Sequence, residues 1–412
     1  MSKRAVVVGG GIVGLSTAFY LNRLGWRVTL IDKAQPGHGC SAGNAGSISP
    51  GSVVPLGGPG TLAQVPQMLW DRNGALTIPW SYSPFLMPWL IAFLKASSKA
   101  RAQEISDQLQ PLLEPTLVGH IKLLASIGAS ELLKSTGQLH VYPDRNAQLK
   151  DSFGWALRRS HNVQVIDVDR RAILELEPSI GPRYTVGYFL PEQGMIIDPY
   201  KQVERLATAL VEDGVSIVRD EVRSASVEGR KAVGVETSSG HHSADAVVIC
   251  AGAWSQILLA SLGIKVPLES QRGYHATLHS SGISLRRPVV AADRKMFSTP
   301  MLDGLRVAGT VEFGGLQRPP DMRRAEILLQ HCKELFPEAN VSSPSLWMGH
   351  RPCLPDSLPV MGQSKQVSGL WFNFGHGHLG LTMGPSTGEL VARGVSGLKG
   401  YIDLDAFSIE RF

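Results

Sequence analysis

The chain has 412 residues, more than a single hydrophobic core usually serves, so two domains are expected. Charged residues make up only 18%, below the roughly 25% of an average soluble domain, and 43% are hydrophobic, which indicates a large interior. The net charge of +5 arises without a basic run and argues against a clustered nucleic-acid-binding surface. Four cysteines without a Cys-x-x-Cys pair argue against dithiol chemistry and a zinc site, and favour a reducing, cytoplasmic setting.

The first 32 residues have the pattern of a dinucleotide-binding unit. The β-branched run 6–8 predicts a buried strand, and Gly9-x-Gly11-x-x-Gly14 then predicts a tight turn into a helix whose free N–H groups bind a pyrophosphate. A second predicted strand, 27–31, ends at Asp32, eighteen residues after Gly14. Because a carboxylate there accepts hydrogen bonds from both ribose hydroxyls, it favours FAD or NAD over NADP. The apolar run stops at Gly9 and is needed as the first strand, so it is not interpreted as a signal peptide.

A glycine-rich passage follows, to about residue 60, and contains Ser41-Ala-Gly-Asn44-Ala45-Gly46. Such a passage is either a flexible loop or a backbone lying closely along a ligand. Its position directly after the dinucleotide unit favours the second interpretation.

Residues 61–105 are rich in tryptophan and contain the apolar run 85–94, followed by Lys95, Lys99 and Arg101. The run is too short and too interrupted by proline to span a bilayer. The favoured interpretation is a buried helix of the second domain. The alternative is an interfacial helix that contacts a membrane or a partner through residues 79–101.

The rest of the chain alternates between predicted strands and helices. A helix is expected to start at Asp198 as N-cap with Pro199 in its first turn. A buried strand at 246–250 then enters a small-residue turn and returns the chain to the first sheet. The other predicted helices cover 107–129, 145–160, 170–177, 320–336 and 380–395, and the other strands 137–142, 183–190, 215–218, 221–227, 232–237, several within 265–310, and 370–374.

Seven short motifs occur in one order along the chain: the glycines of 9–14, Ser-x-x-Asn-Ala-Gly at 41–46, Asp198-Pro199, Ala-Gly-Ala-Trp at 251–254, Arg-Gly-Tyr at 272–274, Arg351-Pro352, and Gly-His-Gly-x-x-Gly-x-Thr at 375–382. Together they resemble the FAD-dependent D-amino acid oxidase superfamily, and most closely its bacterial D-amino acid dehydrogenase branch. The resemblance covers nearly the whole chain.

The resemblance implies an α/β fold: a Rossmann-type FAD-binding domain and a discontinuous α+β substrate domain built on a mostly antiparallel sheet. The FAD-binding domain would consist of 1–60, 194–264 and 345–412, and the substrate domain of 61–193 and 265–344. FAD is expected to be non-covalent, because Gly349 stands where some sarcosine-oxidising relatives carry a flavin-linked cysteine. The implied cofactor contacts are Gly9, Gly11, Ile12, Val13, Gly14, Asp32, Lys33, Ser41, Asn44, Ala45, Gly46, Val222, Ala251, Gly252, Trp254, Gly377, His378, Gly380, Leu381 and Thr382.

Three residues are implied in catalysis. Arg351 would hold a substrate carboxylate by two parallel hydrogen bonds, although an ordinary ion pair is the commoner role of an arginine. Tyr274 would bind the same carboxylate, unless it is a core residue of its strand. His378 lies in the turn expected beside flavin N1 and O2, where a helix N-terminus stabilises negative charge. It is expected to orient that turn rather than to transfer protons.

The activity implied is oxidation of a D-amino acid such as D-alanine or cis-4-hydroxy-D-proline, by hydride transfer from Cα to flavin N5. The resulting imine would hydrolyse to a 2-oxo acid, or remain as a cyclic imine, and the electrons would pass to a quinone or other carrier. The alternatives are a sarcosine- or glycine-type oxidase that uses oxygen, and a non-catalytic flavin-binding electron-transfer subunit. Neither a metal nor a nucleic acid is expected, and the protein is placed in the cytoplasm or on the inner face of its membrane.

Overall fold

The computed structural model describes residues 2–59 and 74–412. Its helices are α1 (Ile12–Arg23), α2 (Ser83–Ala96), α3 (Lys99–Leu113), α4 (Thr116–Ser126), α5 (Arg145–Lys150), α6 (Ser152–Ser160), α7 (Arg170–Leu176), α8 (Pro199–Glu212), α9 (Ser255–Ala260), α10 (Arg323–Leu335) and α11 (Gly380–Val395).

The strands are β1 (Arg4–Val8), β2 (Arg27–Asp32), β3 (Ser47–Ile48), β4 (Leu76–Thr77), β5 (Leu133–Lys134), β6 (Gln138–Tyr142), β7 (Ile166–Asp169), β8 (Val186–Leu190), β9 (Gly194–Ile196), β10 (Ser216–Arg219), β11 (Val222–Glu228), β12 (Lys231–Thr237), β13 (His241–Ser243), β14 (Ala246–Ile249), β15 (Glu269–Leu278), β16 (Val289–Ala291), β17 (Met296–Met301), β18 (Gly304–Phe313), β19 (Ser345–Cys353), β20 (Val360–Gln363) and β21 (Leu370–Phe374).

A six-stranded sheet in the order β10-β2-β1-β14-β21-β20 forms the first of two structural units. Its first five strands run parallel and β20 is antiparallel to β21. Helices α1 and α11 pack closely against each other, because Gly388 allows the α11 backbone to approach Ser16 and Thr17. This arrangement confirms the predicted Rossmann-type unit and the return of the chain to the first sheet at β14.

A nine-stranded sheet forms the second unit, in the order β19-β15-β18-β17-β16-β6-β8-β7 with β4 paired to β18. Its pairs are antiparallel except β16 with β6 and β18 with β4. The mostly antiparallel sheet predicted for the substrate domain is therefore confirmed. Two three-stranded sheets, β11-β12-β13 and β3-β9-β5, complete the described strands.

One row of paired residues crosses the nine-stranded sheet, and its members line the cavity described below. The register places Trp347 of β19 opposite His275 of β15, which is opposite Ala308 of β18. The row continues through Phe297 of β17 and Val290 of β16 to His140 of β6. Five inter-strand steps of roughly 4.8 Å each separate its ends.

Three sequence-based assignments need correction. The helix expected over 107–129 is two helices, α3 and α4, because Pro115 interrupts the pattern. Both helices share the hydrophobic core of α1 and α11, through residues such as Leu109 and Leu124, although the segment 61–193 was expected in the substrate domain. Strand β19 pairs with β15 in the large sheet, so residues 345–353 belong with the substrate-domain strands rather than with 354–412.

Helix α2 has apolar residues on both of its faces. Leu86 and Trp89 are buried against Phe313, as expected for a core helix. The opposite face exposes Phe85 and Leu94 to solvent, at 75% and 56%. The part of the 61–105 segment from residue 61 to 73 lies outside the described residues. Across the described chain, no helix combines the length and the hydropathy required to cross a bilayer.

Candidate active site

One cavity of about 810 Å³ runs between the two sheets, and the start of α1 forms one end of it. Gly9 has φ +113°, and a methyl group on it would lie 2.4 Å from the carbonyl oxygen of Cys250, so only glycine fits. Gly11 lines the cavity, and a methyl group there would meet only Ser41 Oγ, at 3.3 Å. The helix start therefore presents bare backbone to the cavity, as a phosphate cradle requires.

Asp32 ends β2 at the same end of the cavity. Its Oδ2 accepts a hydrogen bond from Gly10 N at 2.6 Å and its Oδ1 accepts one from Ala34 N at 2.8 Å. These two bonds hold the carboxylate beside the phosphate cradle, where an adenosine ribose would lie. Next to it, the Lys33 ammonium lies 5.0 Å from the centroid of the Trp254 ring, so these two predicted cofactor residues are in contact.

The segment 41–46 has a fixed shape rather than that of a flexible loop. Ser41 Oγ accepts from Ile12 N at 3.0 Å, which ties the segment to the start of α1. Arg306, on β18 of the large sheet, donates from Nη1 to the carbonyl oxygens of Ala42 at 3.2 Å and Asn44 at 2.7 Å. The segment is thus held from both domains along the cavity, which supports the interpretation as a ligand-lining backbone.

The N-terminus of α11 closes the opposite side of the cavity, after a 3₁₀ turn at Gly377–Leu379. Thr382 Oγ1 donates to Ser47 O at 3.2 Å and accepts from Ser49 N at 3.3 Å. His120 Nε2 bonds Leu381 O at 2.9 Å from the neighbouring helix α4. The helix end is therefore fixed in position, with its positive dipole end facing the cavity.

Arg351 projects from β19 into the cavity, over Gly273 of β15. A methyl group on Gly273 would lie 2.3 Å from Cζ of Arg351, so the missing side chain makes room for the guanidinium. Burial lowers the pKa of Arg351, and the groups that oppose this are the thiols of Cys353 and Cys40. Among the described residues no carboxylate pairs with this guanidinium, so the ordinary ion pair is not its role here.

Tyr274 does not share this arrangement. Its hydroxyl donates to Glu312 and accepts from Asp321 N at 3.1 Å. Glu312 also pairs with the fully buried Arg272, at 3.0 Å. Tyr274 lines the cavity together with Gly273 and His275, but its hydroxyl is part of a buried network next to α10 and not directed at Arg351, so this structure does not support the expectation that it binds the substrate carboxylate.

His378 lines the cavity within the turn that precedes α11. Desolvation by the surrounding protein and the nearby Arg351 charge lower the pKa of His378 to about 4. Burial lowers the pKa of His376 to about 3, and its Nε2 bonds Thr387 Oγ1 at 3.1 Å. Both imidazoles are neutral near pH 7, which fits an orienting role better than proton transfer.

Most predicted cofactor residues line the cavity, but two do not. Gly14 packs against Gly9, where a methyl group would lie 1.9 Å from the Gly9 oxygen, and Gly46 has φ +74° and packs against Ile196 O. These two glycines shape the backbone rather than the cavity wall. The predicted residues that line it are Gly9, Gly11, Ile12, Val13, Asp32, Lys33, Ser41, Asn44, Ala45, Val222, Ala251, Gly252, Trp254, Gly377, His378, Gly380, Leu381 and Thr382.

Several lining residues were not anticipated. His275 stacks on Trp347 with 4.9 Å between ring centroids, and its Nδ1 bonds Gly43 O at 2.9 Å. At the far end, His140, Trp155 and Arg158 also line the cavity. These residues come from strands and a helix far apart in sequence and belong to no motif. One of them could have been predicted, because Gly273 and His275 are two residues apart on β15 and alternate residues of a strand share a face.

The residues fit a dinucleotide flavin. The cavity is long and has a glycine cradle and an acid at one end, and a helix N-terminus and a guanidinium line it farther along. His, Cys, Asp and Glu side chains form no cluster suited to a metal ion in the part of the chain that the structure describes.

Comparison with known proteins agrees with this geometry. The chain matches the family model described as FAD dependent oxidoreductase over residues 4–393. It is 38% identical to a D-amino-acid oxidase of Bradyrhizobium diazoefficiens over 417 aligned positions, which cover 100% of this chain and 99% of that protein. It is 30% identical to a D-amino acid dehydrogenase of Rhodopseudomonas palustris, with 99% and 98% coverage.

Among solved structures, the fold is similar to that of glycine oxidase from Geobacillus kaustophilus, with a TM-score of 0.76, 22% identity and complete coverage of both chains. The chain therefore belongs to the FAD dependent oxidoreductase family. It is an oxidoreductase with FAD as cofactor, as the family resemblance implied; the first 32 residues alone predicted FAD or NAD.

Proposed function

We propose that this enzyme oxidises a small D-amino acid at Cα. The observation that carries the proposal is the Arg351 guanidinium, which lies in the flavin cavity without a carboxylate partner among the described residues. A planar guanidinium binds an amino acid carboxylate by two parallel hydrogen bonds and thereby fixes the direction of the Cα–H bond. The names of the relatives support the D configuration.

The residues of the phosphate cradle and the α11 N-terminus would hold FAD, which would supply the redox chemistry as acceptor of the hydride from Cα. The protein contributes position and electrostatics: Arg351 anchors the acid, and the α11 N-terminus favours negative charge beside it. With the histidines of the turn neutral, a substrate with a neutral amine reacts without a protein base. The product imine then hydrolyses to a 2-oxo acid, or stays cyclic when the substrate is a proline such as cis-4-hydroxy-D-proline.

Anaerobic mixing of the flavin-loaded protein with matched D- and L-amino acids, glycine and sarcosine tests the proposal. Bleaching of the oxidised flavin by D-alanine or cis-4-hydroxy-D-proline, but not by the L-enantiomers, is expected. Bleaching by sarcosine or glycine alone would establish the amine oxidase alternative. A flavin that none of these acids reduces would leave the electron-transfer subunit as the function.

We further propose that electrons pass to a quinone, at the inner face of the cytoplasmic membrane. The outer face of α2 exposes Phe85, Met87, Ile91 and Leu94, and Lys95 follows at the end of the helix. Apolar side chains flanked by lysine suit the interface of an anionic bilayer. Membrane-soluble quinones would be within reach of an enzyme held in this way.

Flotation with vesicles of phosphatidylglycerol and phosphatidylethanolamine tests the membrane contact. The wild type should float with the vesicles, and the double variant Phe85→Ser, Leu94→Ser should not. Val211→Ser on α8 is the matched control, because Val211 is 56% exposed on another helix, and this variant should float like the wild type. Oxygen uptake compared with reduction of a short-chain quinone separates the two acceptors. If one hydrogen peroxide forms for each substrate oxidised and no quinone is reduced, the electron acceptor is oxygen and not a quinone.

A further inference from the structure

Trp347 lies on the same face of β19 as Gly349 and Arg351, because alternate residues of a strand point to the same side. The register places Trp347 opposite His275 and Gly349 opposite Gly273 of β15. All five of these residues line the cavity. Two directly opposed glycines therefore lie between the tryptophan and the arginine.

The space above this glycine pair is occupied from both sides. A methyl group on Gly273 would lie 2.3 Å from Cζ of Arg351, and one on Gly349 would lie 2.0 Å from Cη2 of Trp347. The Cβ positions of directly opposed residues are roughly 4.5–5.5 Å apart, so Cζ and the indole edge are separated by roughly 10 Å at most. The ring and the guanidinium are thus within the length of one small amino acid.

The indole ring is fixed in this position by its neighbours. Trp347 stacks on His275 with 4.9 Å between ring centroids and 16° between the ring planes. His275 Nδ1 donates to Gly43 O at 2.9 Å, and a methyl group on Gly43 would lie 2.3 Å from Cε2 of Trp347. Arg306 holds the backbone on either side of Gly43. The ring therefore cannot retreat from the guanidinium without displacing the segment beside the flavin site.

The dimensions of an amino acid show what this ring would contact. A carboxylate bound by two parallel hydrogen bonds has its carbon roughly 4 Å from the guanidinium carbon. Cα and Cβ each extend the molecule by about 1.5 Å. A Cβ atom directed at Trp347 therefore lies no more than roughly 3–4 Å from the indole edge, which is already contact distance. A longer open side chain has no room in this direction.

The substituents on Cα differ in how well they suit an indole ring. The hydrogen must remain free for transfer as a hydride. The amine reacts in its neutral form, and the ring offers a neutral amine neither a lone pair nor a cation–π attraction. An apolar side chain gains a favourable contact with the ring. The side chain is therefore the group that is directed at Trp347.

We propose that Trp347 sets the upper limit on the size of the substrate side chain, so that the enzyme selects compact D-amino acids. This inference rests on the proposed function, in which Arg351 holds the carboxylate. D-alanine ends at the atom that contacts the ring. The ring of a D-proline folds back onto its nitrogen and extends less far from Cα than an open chain of three carbons, so it belongs to the same compact class.

The test is the rate of anaerobic flavin reduction divided by the apparent dissociation constant, for D-alanine, D-norvaline and D-phenylalanine. In the wild type this quotient should fall along the series. Trp347→Ala should raise the quotient of D-phenylalanine relative to that of D-alanine about tenfold or more, and Trp347→Phe should change it less in the same direction. Improved use of a larger substrate is a gain that misfolding cannot produce.

Binding without turnover gives a second measurement. Propionate and 3-phenylpropionate match D-alanine and D-phenylalanine but lack the amine, so they cannot be oxidised. Calorimetric titration of the flavin-loaded protein should show tighter binding of propionate in the wild type and of 3-phenylpropionate in Trp347→Ala.

Trp371→Ala is the matched control for both measurements. Trp371 of β21 is not among the described residues that line the cavity, and it packs against Gly394, where a methyl group would lie 2.9 Å from its ring. This variant removes a tryptophan of the same size from another place in the protein. It should keep the order of preference that the wild type shows.

Equal quotients along the series in the wild type would overturn the inference, as would an unchanged order of preference in both Trp347 variants. If D-alanine reduces the flavin in either case, the proposed function stands without the inference. If no D-amino acid of any size reduces the flavin in the wild type or in the variants, the proposed function fails and the inference fails with it.

Discussion

The guanidinium of Arg351 occupies the space that a side chain at Gly273 would fill. A methyl group on Gly273 would lie 2.3 Å from Cζ and 2.4 Å from Nη2 of Arg351. The two residues face each other across β19 and β15, two residues out of register along the strands. The absence of a side chain on one strand therefore sets the position of the charge on the other.

Gly273→Ala should displace the guanidinium and raise the KM for a D-amino acid about tenfold or more, because a shift of about 1 Å misaligns the substrate. FAD content should stay normal, since Gly273 lies away from the phosphate cradle. Steady-state kinetics with a dye acceptor, together with the flavin-to-protein absorbance ratio, measures both quantities. An unchanged KM would show that the guanidinium has room to adjust.

Arg351→Lys tests bidentate binding separately from charge. A lysine keeps the positive charge but lacks the planar pair of donors, so KM should rise about ten- to a hundredfold. Arg351→Ala should abolish reduction at ordinary substrate concentrations while flavin remains bound. Turnover at the wild-type rate in the alanine variant would contradict the role of Arg351.

Gly11→Ala should weaken FAD binding about tenfold or more, because the added methyl group projects into the space for the pyrophosphate. The apoprotein should unfold at a nearly unchanged temperature, since that methyl group meets only Ser41 Oγ at 3.3 Å. Titration of apoprotein with FAD, followed by tryptophan fluorescence, gives the dissociation constant. Equal affinity for FAD in the variant would place the phosphates elsewhere.

His120 predicts a pH dependence of stability. Burial lowers its pKa to about 4, and its two nitrogens have partners that suit the neutral ring: Gln202 Nε2 donates to Nδ1 at 3.2 Å, and Nε2 donates to Leu381 O at 2.9 Å. An unfolded histidine titrates near 6.5, so between about pH 6.5 and 4 the unfolded chain binds more protons and stability falls as the pH falls.

The slope contributed by one such histidine is about 1.4 kcal/mol per pH unit at most. Chemical denaturation of the wild type and of His120→Gln at several pH values in this window measures it. The variant should be less stable near pH 7 but should lose less stability on acidification, by about one proton. Parallel curves for the two proteins would show that His120 is not the group that titrates.

FAD should be released by denaturation, in agreement with non-covalent binding. Cys40 lines the cavity, but burial raises the pKa of its thiol to about 12, and the thiol donates to His350 O at 2.7 Å. A protonated, hydrogen-bonded thiol is a poor nucleophile toward a flavin. After acid precipitation the yellow colour should be in the supernatant, and a yellow pellet would indicate a covalent bond.

Local signals in the sequence predicted the elements well. The order of strand, glycines, helix, strand and acid located the phosphate cradle, and the Asp198 side chain does cap its helix, by accepting from Lys201 N at 2.9 Å. These features depend on neighbours in the chain, which the sequence displays directly.

Features that depend on pairing between distant segments were less predictable. The family resemblance implies that Tyr274 binds the substrate carboxylate, but the partner of its hydroxyl is Glu312, on a strand whose pairing with β15 no local pattern displays. Arg158 joins the cavity only through the arrangement of α6 beside β6, which no local pattern records. The hydrophobic spacing predicted one continuous helix over 107–129, but Pro115 separates it into α3 and α4.

Arg306 connects the sheet that receives the substrate to the backbone beside the flavin, through the carbonyl oxygens of Ala42 and Asn44. A displacement of β18 on binding of an acid would therefore also move the backbone at Ala42 and Asn44. Titration with an unreactive carboxylic acid should consequently alter the visible absorption spectrum before any electron has moved, so the enzyme itself reports occupancy of its substrate site by colour.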